Sequence, residues 1–144
     1  MFNFIMIKLF NCKEKVSGRD RQVFVFKNKV IKLPRTESWK DFKRGLKSNK
    51  EELNTIKNYK GNYPESIPVV ISTWFFGICI VMEKYTEVKD THKEYLRYAK
   101  RLTILQDQED ARYVDIWFID NKVFNYGWDK YGRLVKLDMG ICDQ

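Results

Sequence analysis

Asp120 to Gly140, D-N-K-V-F-N-Y-G-W-D-K-Y-G-R-L-V-K-L-D-M-G, is the stretch with the most chemical pattern in the chain. Asp120 is followed five residues later by Asn125, and thirteen residues further on comes Asp138, within Asp138-Met139-Gly140. Trp128-Asp129-Lys130-Tyr131-Gly132 reads as a turn, and Arg133 to Leu137 as the second strand of a hairpin that ends at Asp138. A carboxylate and an amide on a short loop, followed by a hairpin ending in a second carboxylate, can converge on one hydrated divalent cation and its phosphate. Mg²⁺ takes hard oxygen ligands, keeps several waters and is usually held by one or two protein carboxylates plus phosphate. A plain hairpin with polar surface residues satisfies the same pattern, so the rest of the chain has to decide.

With 144 residues the sequence is one compact domain's worth, large enough for a real core. Its 44% hydrophobic and 15% aromatic content is that of a globular protein, which argues against disorder. The opening Met1 to Phe10 is apolar but too short to span a bilayer, and it lacks the charged start and cleavage site of a signal peptide; it reads as a strand. Cys12, Cys79 and Cys142 are odd in number and lack the paired spacing of a zinc site, which suggests a reducing cytoplasm and structural thiols. The single histidine, His92, leaves no room for a His-based triad or a His-rich metal site. Any chemistry therefore belongs to carboxylates and lysines. The net charge of +8 accommodates an acidic partner such as a nucleotide or an acidic protein surface. The basic residues are scattered and no nucleic-acid-binding motif occurs, so neither a nucleic acid nor a membrane is expected as partner.

Upstream, Lys13 to Arg21 reads as a polar turn leading into Val23-Phe24-Val25-Phe26, and Lys27-Asn28-Lys29 returns the chain as Val30-Ile31-Lys32-Leu33 before Pro34. On that strand Val30 and Lys32 share one side and Ile31 and Leu33 the other. Two capping-box spacings follow, Ser38-x-x-Asp41 and Ser48-x-x-Glu51. If Ser48 caps, Glu51 turns back to the first turn and Glu52 lies on the face of Ile56 and Tyr59. Val69 to Trp74 and Ile78 to Tyr85, separated by Gly77, read as two more strands. Thr91 to Gln108 reads as a helix whose apolar face includes Leu96, Tyr98, Leu102 and Leu105.

Together these residues resemble the motif set of protein kinases. Asp120-x-x-x-x-Asn125 followed by Asp138-Met139-Gly140 is similar to the catalytic loop and the Asp-Phe-Gly motif of that family. The resemblance implies that Asp120 orients and deprotonates the acceptor hydroxyl, Lys122 contacts the transferred phosphate, and Asn125 and Asp138 hold the metal. Val30-Ile31-Lys32 resembles the end of the Val-Ala-Ile-Lys strand, whose lysine pairs with the nucleotide phosphates and with a helix glutamate. Glu52, twenty residues after Lys32, fits that glutamate, with Glu51 as the alternative. Gly18 lies five residues before Val23, as the middle glycine of the phosphate loop does, but Val16 and Arg21 occupy the outer glycine places. Arg21 would add positive charge there, and Val30 replaces the small residue over the adenine. Met82-Glu83-Lys84-Tyr85 resembles the hinge segment, with Met82 in the gatekeeper place and Glu83 and Tyr85 near the base. The His-Arg pair that usually precedes the catalytic aspartate is replaced by Phe118-Ile119.

The resemblance covers roughly Val16 to Gly140 and implies an α+β, protein-kinase-like domain. Residues 1–83 would form an antiparallel five-stranded small lobe with one helix, and 84–144 a much reduced helical large lobe with the catalytic loop. Such a chain looks like a small, truncated protein kinase of the type carried by bacteriophages, acting in the cytoplasm of a host. The implied cofactors are ATP and Mg²⁺, and the implied activity is phosphoryl transfer to a protein hydroxyl. Because no activation segment follows Asp138-Met139-Gly140 in this sequence, a pseudokinase-like protein that binds and modulates a host partner is the alternative. A small-molecule kinase of the aminoglycoside-phosphotransferase kind is a third.

Overall fold

A computed structural model describes residues 12–108 and 116–139. Eight strands and two long helices occur among them: β1 (Glu14–Ser17), β2 (Arg21–Val25), β3 (Lys29–Pro34), α1 (Trp39–Tyr59), β4 (Val70–Trp74), β5 (Cys79–Glu83), β6 (Thr86–Glu87), α2 (His92–Asp107), β7 (Tyr126–Trp128) and β8 (Leu134–Lys136). They divide into two compact units. The first holds the chain to Lys57 and Val69–Lys84; the second holds Asn58–Pro68 and Tyr85–Met139.

The first unit is built on a five-stranded antiparallel sheet in the order β1-β2-β3-β5-β4. Alternation along the strands gives the sheet two faces. Phe24 pairs in register with Ile31 and Ile31 with Val81, and these three, with Phe26 and Cys79, form a buried cluster that Cys12 and Leu33 extend. The opposite face carries Val23, Lys32 and Ile80 in one row and Val30 and Met82 in the next.

The strand expected over Met1–Phe10 lies outside the described residues. Among the described residues the sheet's first strand is Glu14–Ser17, inside the stretch whose polarity suggested a turn. All four of its side chains are exposed, so this edge strand carries none of the apolar alternation that marks its neighbours.

Helix α1 also differs from expectation. Its N-terminus is fixed by Ser38, whose Oγ accepts from the Asp41 amide at 3.1 Å and donates to the Asp41 carboxylate at 2.6 Å. The first of the two capping boxes is therefore the real one. Ser48 lies in the helix interior, and Glu51 pairs with Lys47 one turn before it, at 3.5 Å, rather than turning back on a cap. Gly45 does not break the helix; a Cβ there would stand 2.6 Å from the Pro34 Cβ and 2.7 Å from the Asp20 carbonyl, so the glycine lets α1 approach the end of β3.

Between β4 and β5 the chain turns through Phe75-Phe76-Gly77. Phe75 and Phe76 take φ values of 52° and 57°, in the left-handed region, before Gly77 at 88°. Bulky side chains there cost about 1–3 kcal/mol each. The buried Asn49 of α1 holds the turn: its Nδ2 donates to the Gly77 carbonyl at 2.9 Å and to the Ile78 carbonyl at 2.8 Å.

The second unit pairs the short strands β6, β7 and β8 antiparallel. Gly127 is required where β7 passes β6, since a Cβ would stand 2.9 Å from that of Tyr85 and 3.0 Å from the Thr86 carbonyl. Thr91 caps α2 by accepting from the Glu94 amide, and α2 buries Tyr98, Leu102 and Leu105. Trp117, Tyr126, Leu134, Val135 and Met139 complete this core. The turn expected at Trp128–Gly132 is present, held by Asp129, whose carboxylate accepts from the Tyr131 and Arg133 amides and from Arg133 Nε. No helix among the described residues is long and apolar enough to cross a membrane.

Candidate active site

In the first unit the sheet register brings Val23, Val30, Lys32 and Met82 onto one face, as the kinase resemblance requires of residues that would line a nucleotide. Lys32 is buried there, and its Nζ donates to Glu52 Oε1 at 2.6 Å. The expected ion pair is present, with Glu52 rather than Glu51 as its acid. Glu52 is fully buried and has a second partner, since Arg21 Nη1 binds Oε2. Burial alone would raise the Glu52 carboxyl, but the charges and hydrogen bonds of Lys32 and Arg21 outweigh it and hold the group below its ordinary pKa.

Arg21 was expected beside the phosphates on the Gly18 loop. It turns inward instead, onto Glu52 and onto Asn49 Oδ1 at 3.4 Å. The physical reason is its register: Arg21 stands two residues before Val23 on the same strand, so both point to the side that carries Lys32. Gly18 sits in the exposed β1–β2 turn, where its amide donates to the Arg21 carbonyl at 2.9 Å and its carbonyl accepts from Arg35 at 3.2 Å. Glu83, at the end of β5, is exposed, and its amide donates to the Val69 carbonyl at 3.0 Å. Tyr85 is half-buried.

In the second unit Asp120 is exposed and has φ 48°, the conformation of a residue at a tight reversal. Lys122 Nζ lies 3.6 Å from its carboxylate. Asn125 closes a short 3-10 turn, Val123–Asn125, and is buried. Its Nδ2 donates to the Asp120 carbonyl at 3.0 Å, which leaves Oδ1 as the oxygen available to a cation. Its own carbonyl accepts from the Leu137 amide at 2.7 Å, so the loop residue is tied to the residue preceding Asp138. Asp120, Asn125 and the end of β8 are thus joined by backbone and amide bonds within one unit. Gly140 and Cys142 lie outside the described residues, as does the 109–115 part of the approach to Asp120.

Lys136 is a member of this site that the sequence reading missed. It is buried on β8, with Nζ donating to the Ile119 carbonyl at 2.7 Å and to Tyr126 Oη at 3.3 Å. Tyr126 in turn donates to Asn121 Oδ1 at 2.7 Å, and Asn121 Nδ2 to the Trp117 carbonyl at 2.6 Å. Tyr98 Oη and Gln106 Nε2, both from α2, fix the Asn121 and Trp117 carbonyls from the helix side. This network, rather than the usual His-Arg pair, anchors the loop; Phe118 and Ile119, which replace that pair, are exposed. Burial drives the Lys136 amine down to about 8 while Asp120 and Asp138 act the other way. Burial, with Tyr98 and Asp120 adding to it, raises the Tyr126 phenol. The one sequence signal was a lysine at a strand position flanked by Val135 and Leu137.

The donor set suits a hard cation. Asn125 Oδ1 and the Asp138 carboxylate are oxygen donors of the kind Mg²⁺ accepts alongside phosphate. No group of three or more His, Cys, Asp or Glu side chains able to hold a metal occurs among the described residues, and a metal shared with phosphate does not need one. A cavity of about 280 Å³ also opens in the second unit, lined by residues including Tyr63, Arg101, Leu105 and Arg133, but none of the candidate catalytic residues lines it.

No protein-family model matches the sequence, and no curated protein sequence matches it. Among solved structures the chain matches a co-crystal structure of WbdD with the kinase inhibitor LY294002, at a TM-score of 0.50 and 18% identity. The likeness is one of fold. It extends over 90% of this chain and 32% of that one, so the chain spans about a third of the length of the structure it matches. The five-stranded antiparallel sheet and helix α1 are consistent with a kinase-like small lobe.

Proposed function

We propose that the protein is an ATP- and Mg²⁺-dependent phosphotransferase of protein-kinase type that acts on a protein hydroxyl. The observation that carries this is the buried Lys32–Glu52 pair on the sheet face shared by Val23, Val30 and Met82. A lysine without a task at such a position is expected to reach for solvent. Here it is held inward by a carboxylate, the arrangement that presents an ammonium to nucleotide phosphates. Asn125 Oδ1 and Asp138 would hold Mg²⁺, which supplies charge neutralisation of the phosphates when bound. Asp120, exposed beside Lys122, would accept the proton of the acceptor hydroxyl as the bond from the γ-phosphorus to ADP breaks. Lys122 would add positive charge to the group in transit.

A second reading, a pseudokinase-like protein that binds and modulates a partner, is favoured by the Gly18 turn. Its amide is engaged within the hairpin and Arg21 is turned inward, so the loop offers phosphates less than a glycine-rich one does. Calorimetric titration of ATP with and without Mg²⁺ separates the two. The phosphotransferase binds nucleotide in a Mg²⁺-dependent manner that Asp138→Ala abolishes without unfolding the protein, and transfers label from ATP in a manner that Asp120→Asn abolishes. Absence of binding at millimolar ATP, or equal binding by Asp138→Ala, rejects the metal and nucleotide assignment.

A further inference from the structure

Strand β4 and the turn that follows it present four large apolar side chains to solvent within six residues. Ile71 is 54% exposed, Trp74 59%, Phe75 68% and Phe76 111%, so the Phe76 ring has no packing neighbour of consequence. Contiguous exposure of this kind marks an interaction surface. The backbone supports that view, because Phe75 and Phe76 both hold left-handed φ values that asparagine or glycine would adopt more readily. Asn49 fixes the turn in that shape through the Gly77 and Ile78 carbonyls. The rings are therefore displayed by a braced turn.

Charge identifies the partner. The segment from Val69 to Met82 contains no acidic residue. Helix α1, whose Asn49 braces the turn and whose Leu53 lies against Gly77, presents Lys43, Lys47, Lys50 and Lys57 to solvent. Their spacings of four, three and seven place them in one stripe along the helix. At 100° per residue that stripe flanks the Asn49–Leu53 side. Within it Lys47 is also paired with Glu51 and remains largely exposed, and Lys43 stands over the Trp39 ring. A protruding tip of tryptophan and phenylalanine beside a row of lysines matches the two layers of an anionic bilayer surface. Aromatic rings enter the interfacial zone without needing a shaped pocket, and lysines remain at the headgroups.

We propose that the Trp74–Gly77 tip and the lysine stripe of α1 together form a docking surface for an anionic lipid bilayer, which the first unit uses to sit on a membrane without crossing it. This surface is independent of the nucleotide reading. It uses neither Lys32 nor Glu52.

Flotation of the full chain with phosphatidylcholine vesicles, with and without one-third phosphatidylglycerol, tests it. The wild-type protein floats with the anionic vesicles at low salt, dissociates as salt is added, and does not float with phosphatidylcholine alone. The double variant Phe75→Asn/Phe76→Asn loses about tenfold or more in vesicle affinity, while its unfolding midpoint is unchanged or higher because asparagine tolerates the left-handed turn. Replacing Lys43, Lys50 and Lys57 by Gln removes the salt-sensitive part of binding. The proposal is overturned if the wild type fails to float with anionic vesicles, or if the double variant floats equally well. It is also overturned if the tip retains a protein from a lysate in an aromatic-dependent manner while vesicles are not bound.

Discussion

Removing the Glu52 carboxylate is the most informative single perturbation of this protein. Glu52 is fully buried between Lys32 and Arg21, which are themselves 7% and 8% exposed. At an effective dielectric constant of about 20, the 2.6 Å contact to Lys32 corresponds to about 6 kcal/mol of Coulomb attraction. Desolvation of the charges offsets most of this, so the intact cluster adds little net stability. Its loss is another matter. Glu52→Ala leaves an ammonium and a guanidinium buried together without a counter-charge, and should cost about 3–5 kcal/mol. Denaturant unfolding measures this as a drop in midpoint with an unchanged slope. The companion variant Arg21→Met/Lys32→Met/Glu52→Leu should unfold near the wild-type midpoint or above it, because a buried ion cluster replaced by apolar groups of similar volume is often neutral or stabilising. Under the proposed function that stable triple variant binds no ATP. A Glu52→Ala protein within about 1 kcal/mol of wild type would refute the account of the cluster. A triple variant that folds and still binds ATP with full affinity would refute its role.

Three further outcomes follow from other parts of the structure. The Glu52 carboxyl is held below its ordinary pKa of 4.5, so its contribution to stability is complete above that pH and is lost as pH falls through the lower folded value; acid titration of stability should be shallower in Glu52→Gln, and equal slopes would show no linkage. Gly45→Ala, which in an open helix would stabilise by about 1 kcal/mol, should instead destabilise by about 1–3 kcal/mol because the new methyl meets Pro34 and Asp20, and a raised melting temperature would contradict this. Lys136→Met deprives the Ile119 carbonyl and Tyr126 Oη of a donor and should shift stability by no more than about 2 kcal/mol, while amide exchange accelerates between Trp117 and Tyr126. Unchanged exchange in that loop would show that the lysine does not anchor it.

Much of the first unit could be read directly from the sequence, because its strands alternate or run apolar and end at Pro34 and Gly77. Lys32 and Glu52 were found through the resemblance to protein kinases, which supplied the strand lysine and its interval to a helix glutamate, while the strand and helix periods only said which face each would take. The interval from Lys32 and the face shared with Ile56 and Tyr59 placed Glu52 even though the supposed Ser48 cap was wrong: capping-box spacing also occurs by chance inside a helix, and nothing between Trp39 and Tyr59 breaks this one. The edge strand Glu14–Ser17 escaped notice because an edge with every side chain in solvent has no apolar pattern to read. Arg21 was assigned to the Gly18 loop by motif position, whereas its register with Val23 turns it inward. Lys136 escaped for a different reason. Its burial depends on a tyrosine ten residues earlier and a carbonyl seventeen residues earlier, and no local spacing encodes such partners. The left-handed backbone at Phe75 and Phe76 was equally hidden, because Gly77 alone accounts for a turn.

The two-sided amide of Asn49 makes distant parts of the first unit answer to one another. Its oxygen accepts from Arg21, and its nitrogen holds the carbonyls of Gly77 and Ile78. The side chain is fully buried and cannot exchange these partners for water, so rotating it away from either side releases both. The ion cluster and the aromatic tip therefore share one hydrogen-bonded side chain. By thermodynamic reciprocity, whatever free energy a ligand at the cluster contributes to ordering the tip, an occupant of the tip returns to the cluster in equal measure. Asn49→Ala removes the oxygen that Arg21 uses and the nitrogen that braces the turn in one step, so it should loosen the cluster and the tip together.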